Sequence, residues 1–330
     1  MEFPAILRQA IAQALAGIPV ADLSEASRRL SALYRSGTRS GAVALDALAA
    51  RAYLAVRMPA TYAALRACLA RVAEMAPDFA PATQLDAGAG PGTGFFAASD
   101  CWPALARATL IEQSPAMRML GEQLTGQAAS KPVVRWLAAD LAADAPLQGP
   151  FDLVTAAYVV NELPGAAATR LVERLWSVTA GLLVVIEPGT PAGWQRILLL
   201  RERLIALGAH ILAPCPHALA CPLAPPDWCH FAQRLPRSRL HRLSKQAEMA
   251  WEDEKYIYLA ASRQPSARPI SRILAMPRRG SGQIALKLCR PEGNVARRLV
   301  TRREGEAFRC ARRLSWGDVW TDSAAPAEPD

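Results

Sequence analysis

From Pro81 onward short apolar runs alternate with longer amphipathic ones, and no other feature constrains the fold so tightly. PATQLDAGAGPGTG reads as a strand running into a glycine-rich turn. A helical run near 93–106 follows, then the strand ATLIEQ (108–113), a helix from Pro115 to about Leu124, and the strands VVRWLAAD (133–140) and FDLVTAAYVVNELP (151–164). A helix to about Val178, the strand GLLVVIEPG (181–189), the helix WQRILLLRERLIALG (194–208) and a late strand, WEDEKYIYLAAS (251–262), complete the series. Strands joined through helices pair in parallel, so the expected class is α/β, a doubly wound, mostly parallel Rossmann-like sheet.

The flanks differ. Residues 1–80 form an N-terminal helical region, with apolar residues three and four apart. Ser24 reads as an N-cap, and Pro59 should kink or split the last helical stretch. Residues 81–265 form the sheet domain and contain a Cys-rich loop at 210–232. Residues 266–320 read as a small β-rich domain of hairpins with turns at Arg279–Gly282 and Pro291–Gly293, and 321–330 as a disordered tail.

In LDAGAGPGTG, Asp86 ends a strand and Gly88, Gly90, Gly92 and Gly94 form the turn, where a chain without Cβ atoms can approach a ligand. Such turns bind dinucleotides, phosphates or nucleosides. This one lacks a clean GxGxxG, and Pro91 removes an amide that a pyrophosphate would use, which favours S-adenosylmethionine over NAD. Glu112 ends the second strand where a ribose diol would bind. Asp140 ends the third, where it could hold an adenine amine. Asn161 and Glu162 end the fourth, where a transferred methyl would lie, and Glu187 in IEPGT is expected on the same rim.

The stretch APCPHALACPLAPPDWCHF (213–231) concentrates three of seven cysteines, two of four histidines and five prolines. An odd cysteine count with no export signal argues against a disulfide framework. Cys68 and Cys101 read as small buried hydrophobes, and His210 and His241 as ordinary surface or core residues. Structural zinc sites pair their ligands as CxxC knuckles, whereas Cys215, Cys221 and Cys229 are separated by five and seven residues. Thiolates stepping round a loop at unequal gaps suit the corners of an iron–sulfur cluster. Zinc on three cysteines and a histidine, or buried thiols without metal, are the other readings. The fourth ligand would come from Cys289, Cys310, His217 or His230, with Cys289, beside a short strand, favoured.

The formal charge of +9 is uneven: 231–320 holds 20 Lys and Arg against 8 Asp and Glu, a net of +12, which leaves −3 for the rest. A basic C-terminal third suggests a polyanion, nucleic acid above all, or else a solvated arginine-rich surface. No apolar run approaches the roughly 20 residues that span a bilayer. MEFPAILRQAIAQALAG suits an amphipathic helix better than an export signal, and its Arg and Ser are sparse for a mitochondrial presequence. A cytoplasmic monomer is expected.

RMPATYAAL, LDAGAGPGTG, YVVNELP, IEPGTPAGW, APCPH…CPL…DWCHF and WEDEKYIYL together resemble the methyltransferase-like protein family of the mitochondrial small ribosomal subunit and its bacterial relatives. The resemblance covers most of 50–262 and, more loosely, 270–320. It implies a class I methyltransferase fold that binds S-adenosylmethionine, with Gly88, Gly90 and Gly92 in the cofactor turn. It also implies a [4Fe–4S] cluster on Cys215, Cys221, Cys229 and Cys289, and a role in assembling the small subunit by contacting its rRNA. Base-directed amino methyltransferases often carry Asn-Pro-Pro-aromatic after the fourth strand; this chain has Asn161-Glu162-Leu163-Pro164. An assembly factor with a structural cluster is therefore the first reading. An active rRNA methyltransferase using Asn161 and Glu162 is the second, and a small-molecule methyltransferase with structural zinc the third.

Overall fold

The computed structural model describes residues 3–35, 45–126, 132–143, 147–245, 248–265 and 270–321. Four helices lead: α1 (Ala5–Leu15), α2 (Val20–Arg35), α3 (Ala47–Val56) and α4 (Met58–Met75). Pro59 divides the last pair as expected: it sits in the first turn of α4, where its missing N–H costs nothing. Ser24 is no N-cap. It lies inside α2, which begins just after Pro19, and its hydroxyl donates to the Val20 carbonyl at 2.7 Å.

Strands and helices then alternate, save between β3 and β4, where no helix lies among the described residues: β1 (Thr83–Ala87), α5 (Thr93–Cys101), β2 (Arg107–Ile111), α6 (Pro115–Gly126), β3 (Val133–Leu137), β4 (Phe151–Ala157), α7 (Gly165–Ser177), β5 (Thr179–Pro188) and α8 (Pro191–Ala206). Next come β6 (His210–Ala213), β7 (Phe231–Pro236), α9 (Arg239–Lys245) and β8 (Trp251–Ser262). The sheet order is β3-β2-β1-β4-β5-β8-β6, parallel through β5, with β8 antiparallel to β5. This is the expected class I methyltransferase arrangement.

Both faces of the sheet are covered, which explains why GLLVVI is apolar without alternation. Val184 and Ile186 of β5 pack toward α4 and α5, in the core shared with Leu7, Leu69 and Phe95. Leu183 and Val185 pack toward α7 and α8, with Leu171, Val172, Ile197 and Leu200. No helix among the described residues is long and apolar enough to cross a membrane.

The run expected as one strand over 151–164 is a strand only to Ala157. Tyr158 turns to φ +57°, and Val160–Glu162 form a 3₁₀ turn. The strands that bracket the cysteine loop, β6 and β7, were not legible in the sequence. Both pair with the same edge of β8, so residues 214–230 leave the sheet and return to it.

A second, antiparallel sheet holds β9 (Ser271–Ile273), β10 (Arg278–Gly280), β11 (Gln283–Cys289), β12 (Val295–Thr301) and β13 (Val319–Trp320), with the short helix α10 (Glu306–Ala311). The two expected hairpins are present, β10–β11 and β11–β12. Ile284, Leu286, Leu288 and Val300 face Ala307 and Ala311 in a separate core. Residues 322–330 of the expected tail lie outside the described residues.

Candidate functional site

At the carboxyl ends of β1 to β4 lies a cavity of about 230 Å³. Gly88 and Gly90 line it from the first turn, Glu112 from just beyond β2, and Asp140 from the loop after β3. Asn161 and Glu162 line it from the 3₁₀ turn after β4. Glu112 is held in place by amides: Oε2 accepts from the Gly90 N–H at 2.8 Å and Oε1 from the Ser114 N–H at 2.7 Å. Burial raises its pKa against those bonds. Each oxygen keeps a lone pair for a further donor, as a vicinal diol requires. Asp140 Oδ1 accepts from the Ala142 N–H at 2.8 Å.

Asp86 and Gly92 are not on the cavity wall. Asp86, 2% exposed, accepts from the Thr155 hydroxyl at 2.7 Å and the Phe95 N–H at 3.2 Å. Burial lifts its pKa to about 6. It braces the turn from behind, and a Cβ at Gly94 would fall 2.5 Å from its Oδ1. Gly92 caps α5 at φ +90°.

Glu187 lies behind the wall as well. Fully buried, it accepts from Arg196 Nε at 2.8 Å and from the Asn161 N–H at 3.2 Å, and so fixes the 3₁₀ turn. Burial raises its pKa to about 7, with Arg196 opposing. Tyr158 also lines the cavity in its left-handed conformation, which is costly for a bulky residue. Its hydroxyl donates to Glu254 at 3.1 Å.

The sequence reading missed the opposite wall, formed by Tyr53, Arg57 and Thr61 of α3, α4 and their junction. The available signal was the break at Pro59, which turns these residues toward the strand ends.

Cys215, Cys221, Cys229 and Cys289 line one small space between the two sheets, with His217, Arg201 and Arg272. Cys289 ends β11 and its Sγ lies 3.5 Å from His217 Nε2. Cys310 is exposed and not at this space, whereas Cys68 is buried and Cys101 half-buried, both within or against the main core. His230 stacks on Trp228, ring centroids 5.0 Å apart. His241 is a core residue facing Glu252 at 3.6 Å, and His210 is exposed. Burial raises the pKa of Cys215, Cys229 and Cys289, the last to about 12, and neighbouring thiols push Cys229 and Cys289 further up.

Among the described residues no three of His, Cys, Asp or Glu are gathered so as to hold a metal ion. Thiolates on one tetrahedral zinc lie about 3.8 Å apart, from a Zn–S bond of about 2.3 Å. A four-iron core takes one thiolate at each corner and spreads them further. The four thiols at this space match the donor number of such a core, as they match that of a single zinc. The space is about 30 Å³, which holds one water-sized body, so the cysteine side chains must turn aside to seat the four-iron core.

Strand order and a nucleoside-sized cavity at the strand ends define a protein of the methyltransferase fold. The family described as "Mitochondrial small ribosomal subunit Rsm22" matches residues 47–321. This chain belongs to that family. The ribosome assembly protein METTL17, mitochondrial, of Homo sapiens is 30% identical over 295 residues, covering 83% of this chain and 63% of the relative. The Rsm22-cox11 tandem protein 2, mitochondrial, of Schizosaccharomyces pombe is 25% identical over 328 residues, covering 82% and 42%. The chain thus spans less than two thirds of the length of these curated relatives.

Among solved structures, magnesium protoporphyrin IX methyltransferase from Synechocystis PCC 6803 with bound SAM is 15% identical, covering 76% of this chain and 99% of that one, at a TM-score of 0.41. A putative RNA methyltransferase, PH1948 from Pyrococcus horikoshii, is 12% identical, covering 62% and 83%, at 0.40. These likenesses are too distant to speak for substrate. The expected cytoplasmic location is corrected: the matched family and relatives are mitochondrial proteins.

Proposed function

We propose that this chain is an assembly factor for a small ribosomal subunit of the mitochondrial type. It binds S-adenosylmethionine at the strand-end cavity, holds an iron–sulfur cluster on Cys215, Cys221, Cys229 and Cys289, and meets rRNA through its basic C-terminal sheet. The observation that carries the reading is the convergence of four cysteines from distant parts of the chain on one space between the two sheets. One comes from β11 of the second sheet and three from the loop that leaves and rejoins the first. A group bound there fastens the basic sheet to the nucleoside-binding body.

For the cofactor, Glu112 suits the ribose hydroxyls and Asp140 the adenine amine. Arg57 is the one cation among the described lining residues, facing a wall that carries Glu112, Asp140 and Glu162. It suits the carboxylate of the methionine moiety. Asp86 and Gly92 hold the turn rather than the ligand. Bound S-adenosylmethionine supplies an activated methyl group, and Asn161 and Glu162 line the cavity where an acceptor would enter. That placement favours a second reading, an active rRNA methyltransferase.

Protein purified without oxygen is expected to be brown, with iron and sulfide in near-equal amounts and broad absorption at roughly 400 nm. It should also co-sediment with small-subunit particles. Colourless, iron-free material would refute the cluster. Label transferred from S-adenosylmethionine to small-subunit rRNA, and abolished by Asn161→Ala, would establish the second reading.

A further inference from the structure

The cysteine space has two residents that no reading of the loop would suggest. Arg201 on α8 and Arg272 on β9 both line it, and each is only 2% exposed. Their acceptors are backbone carbonyls. Arg201 Nη2 donates to His217 O at 2.7 Å and Leu219 O at 2.8 Å. Arg272 donates to Pro214 O and Gly317 O, both at 2.9 Å. Arg201 Nε is buried with no hydrogen-bond partner among the described residues.

A guanidinium stays charged at any working pH, and a buried charge is costly unless an opposite charge lies beside it. Among the described residues no carboxylate pairs with either arginine. Thiols are the remaining groups at this space that could supply negative charge, and only as thiolates. A doubly positive four-iron core on four thiolates is a dianion, which two guanidiniums balance. Zinc on three thiolates and an imidazole would be a monoanion and would leave one cation over, whereas zinc on all four thiolates would again be a dianion.

We propose that Arg201 and Arg272 are the resident counter-ions of a dianionic, thiolate-bound metal group, setting both the charge the site accepts and the potential of what it holds. This rests on the cluster reading above. The same side chains tie the loop down at Pro214, His217 and Leu219, so charge balance and loop closure are coupled. Reduction adds one electron from an external reductant and turns the dianion into a trianion. Two fixed cations favour that form and raise the potential.

The test uses the full chain, prepared without oxygen, as wild type, Arg201→Gln, Arg272→Gln and Arg201→Lys. Iron content, midpoint potential, iron release to a chelator and thermal unfolding with and without the metal group are measured. Each Gln variant is expected to lower the one-electron reduction constant at least tenfold, 59 mV, and to release iron at least ten times faster. Arg201→Lys should restore the potential. The Gln variants should lower the melting temperature more in the loaded protein than in the metal-free one, where the thiols are protonated and the cation has nothing to balance.

Equal potentials and release rates in wild type and Gln variants would overturn the proposal while leaving the cluster in place. So would a Lys variant no better than Gln, or a Gln variant that cannot fold without metal. A wild type that takes up no iron would overturn the cluster reading and this one together.

Discussion

Asp86 is a carboxyl group placed where ionisation is costly, and stability should record it. Its folded pKa of about 6 lies above the ordinary 3.8, with burial the main cause. The folded protein therefore holds this proton more tightly than the unfolded chain does. The contribution is complete below pH 3.8 and is lost as pH rises toward 6, in total about 3 kcal/mol. Asp86→Asn cannot ionise, so urea unfolding at a series of pH values should show a flatter decline for the variant across that window. An identical slope would mean that Asp86 titrates normally. At the opposite wall, Arg57→Ala should weaken S-adenosylmethionine at least tenfold in calorimetry. It should leave 5′-methylthioadenosine, which lacks the amino-acid portion, within about twofold. Equal losses for both would place Arg57 outside the carboxylate site.

At this scale the sequence was informative where chemistry is local. Gly88, Gly90, Glu112, Asp140, Asn161 and Glu162 all follow a strand by a few residues, and all line the cavity. Asp86 and Glu187 are instead the penultimate residues of β1 and β5, and their side chains point into the interior, a difference that a reading of approximate strand ends does not encode. Arg201 and Arg272 left no trace, because a buried arginine reads like any surface arginine.

Elements were legible in proportion to their length and apolar period. β5 and β8 announced themselves, whereas β6, of four residues and ending at Ala213 just before Pro214, did not. The overlong fourth strand was an error of the same origin. Val159 and Val160 prolong an apolar run although the backbone has already turned at Tyr158, and periodicity cannot register a turn made by bulky residues.

That turn closes on the glycine-rich one after β1, and Gly88 and Gly90 there should respond differently to it. A Cβ at Gly88 would lie 2.6 Å from Val159 Cγ2, with φ at +72°, while one at Gly90, at φ +56°, would meet nothing within 4 Å. Gly90→Ala should therefore cost only the left-handed backbone penalty, about 1–2 kcal/mol. Gly88→Ala should cost that and also displace the turn that carries Asn161. Thermal unfolding should rank Gly88→Ala as the less stable, with the larger loss of S-adenosylmethionine binding. A reversed order would show that the two turns move independently.

At the scale of the molecule, the second sheet brings its charge and its cysteine to the same face. Along β11 the side chains of Ile284, Leu286 and Leu288 face the small core, so Ala285, Lys287 and Cys289 share the outer face. Lys287 pairs across to Arg297, and Ala285 to both Leu299 and Arg278. The outer face therefore runs from the cysteine space through Lys287, ion-paired with Asp227 of the loop, to exposed Arg278 and Arg297. Arg237 and Arg298 are occupied by Glu252 and Glu304 and are poor candidates for phosphate.

RNA affinity should consequently fall steeply with salt, by a slope of about 0.7–0.9 per phosphate neutralised on logarithmic axes. Arg278→Glu with Arg297→Glu should flatten that slope by about two contacts' worth in filter binding at several salt concentrations. Arg237→Glu, measured beside it, should leave the slope unchanged. Because the outer face continues into the loop, removing the metal group should weaken RNA binding even though no arginine has been altered. If metal-free protein of unchanged fold binds RNA with the same affinity and the same slope, the cluster does not orient the basic sheet, and the two halves of the molecule act separately.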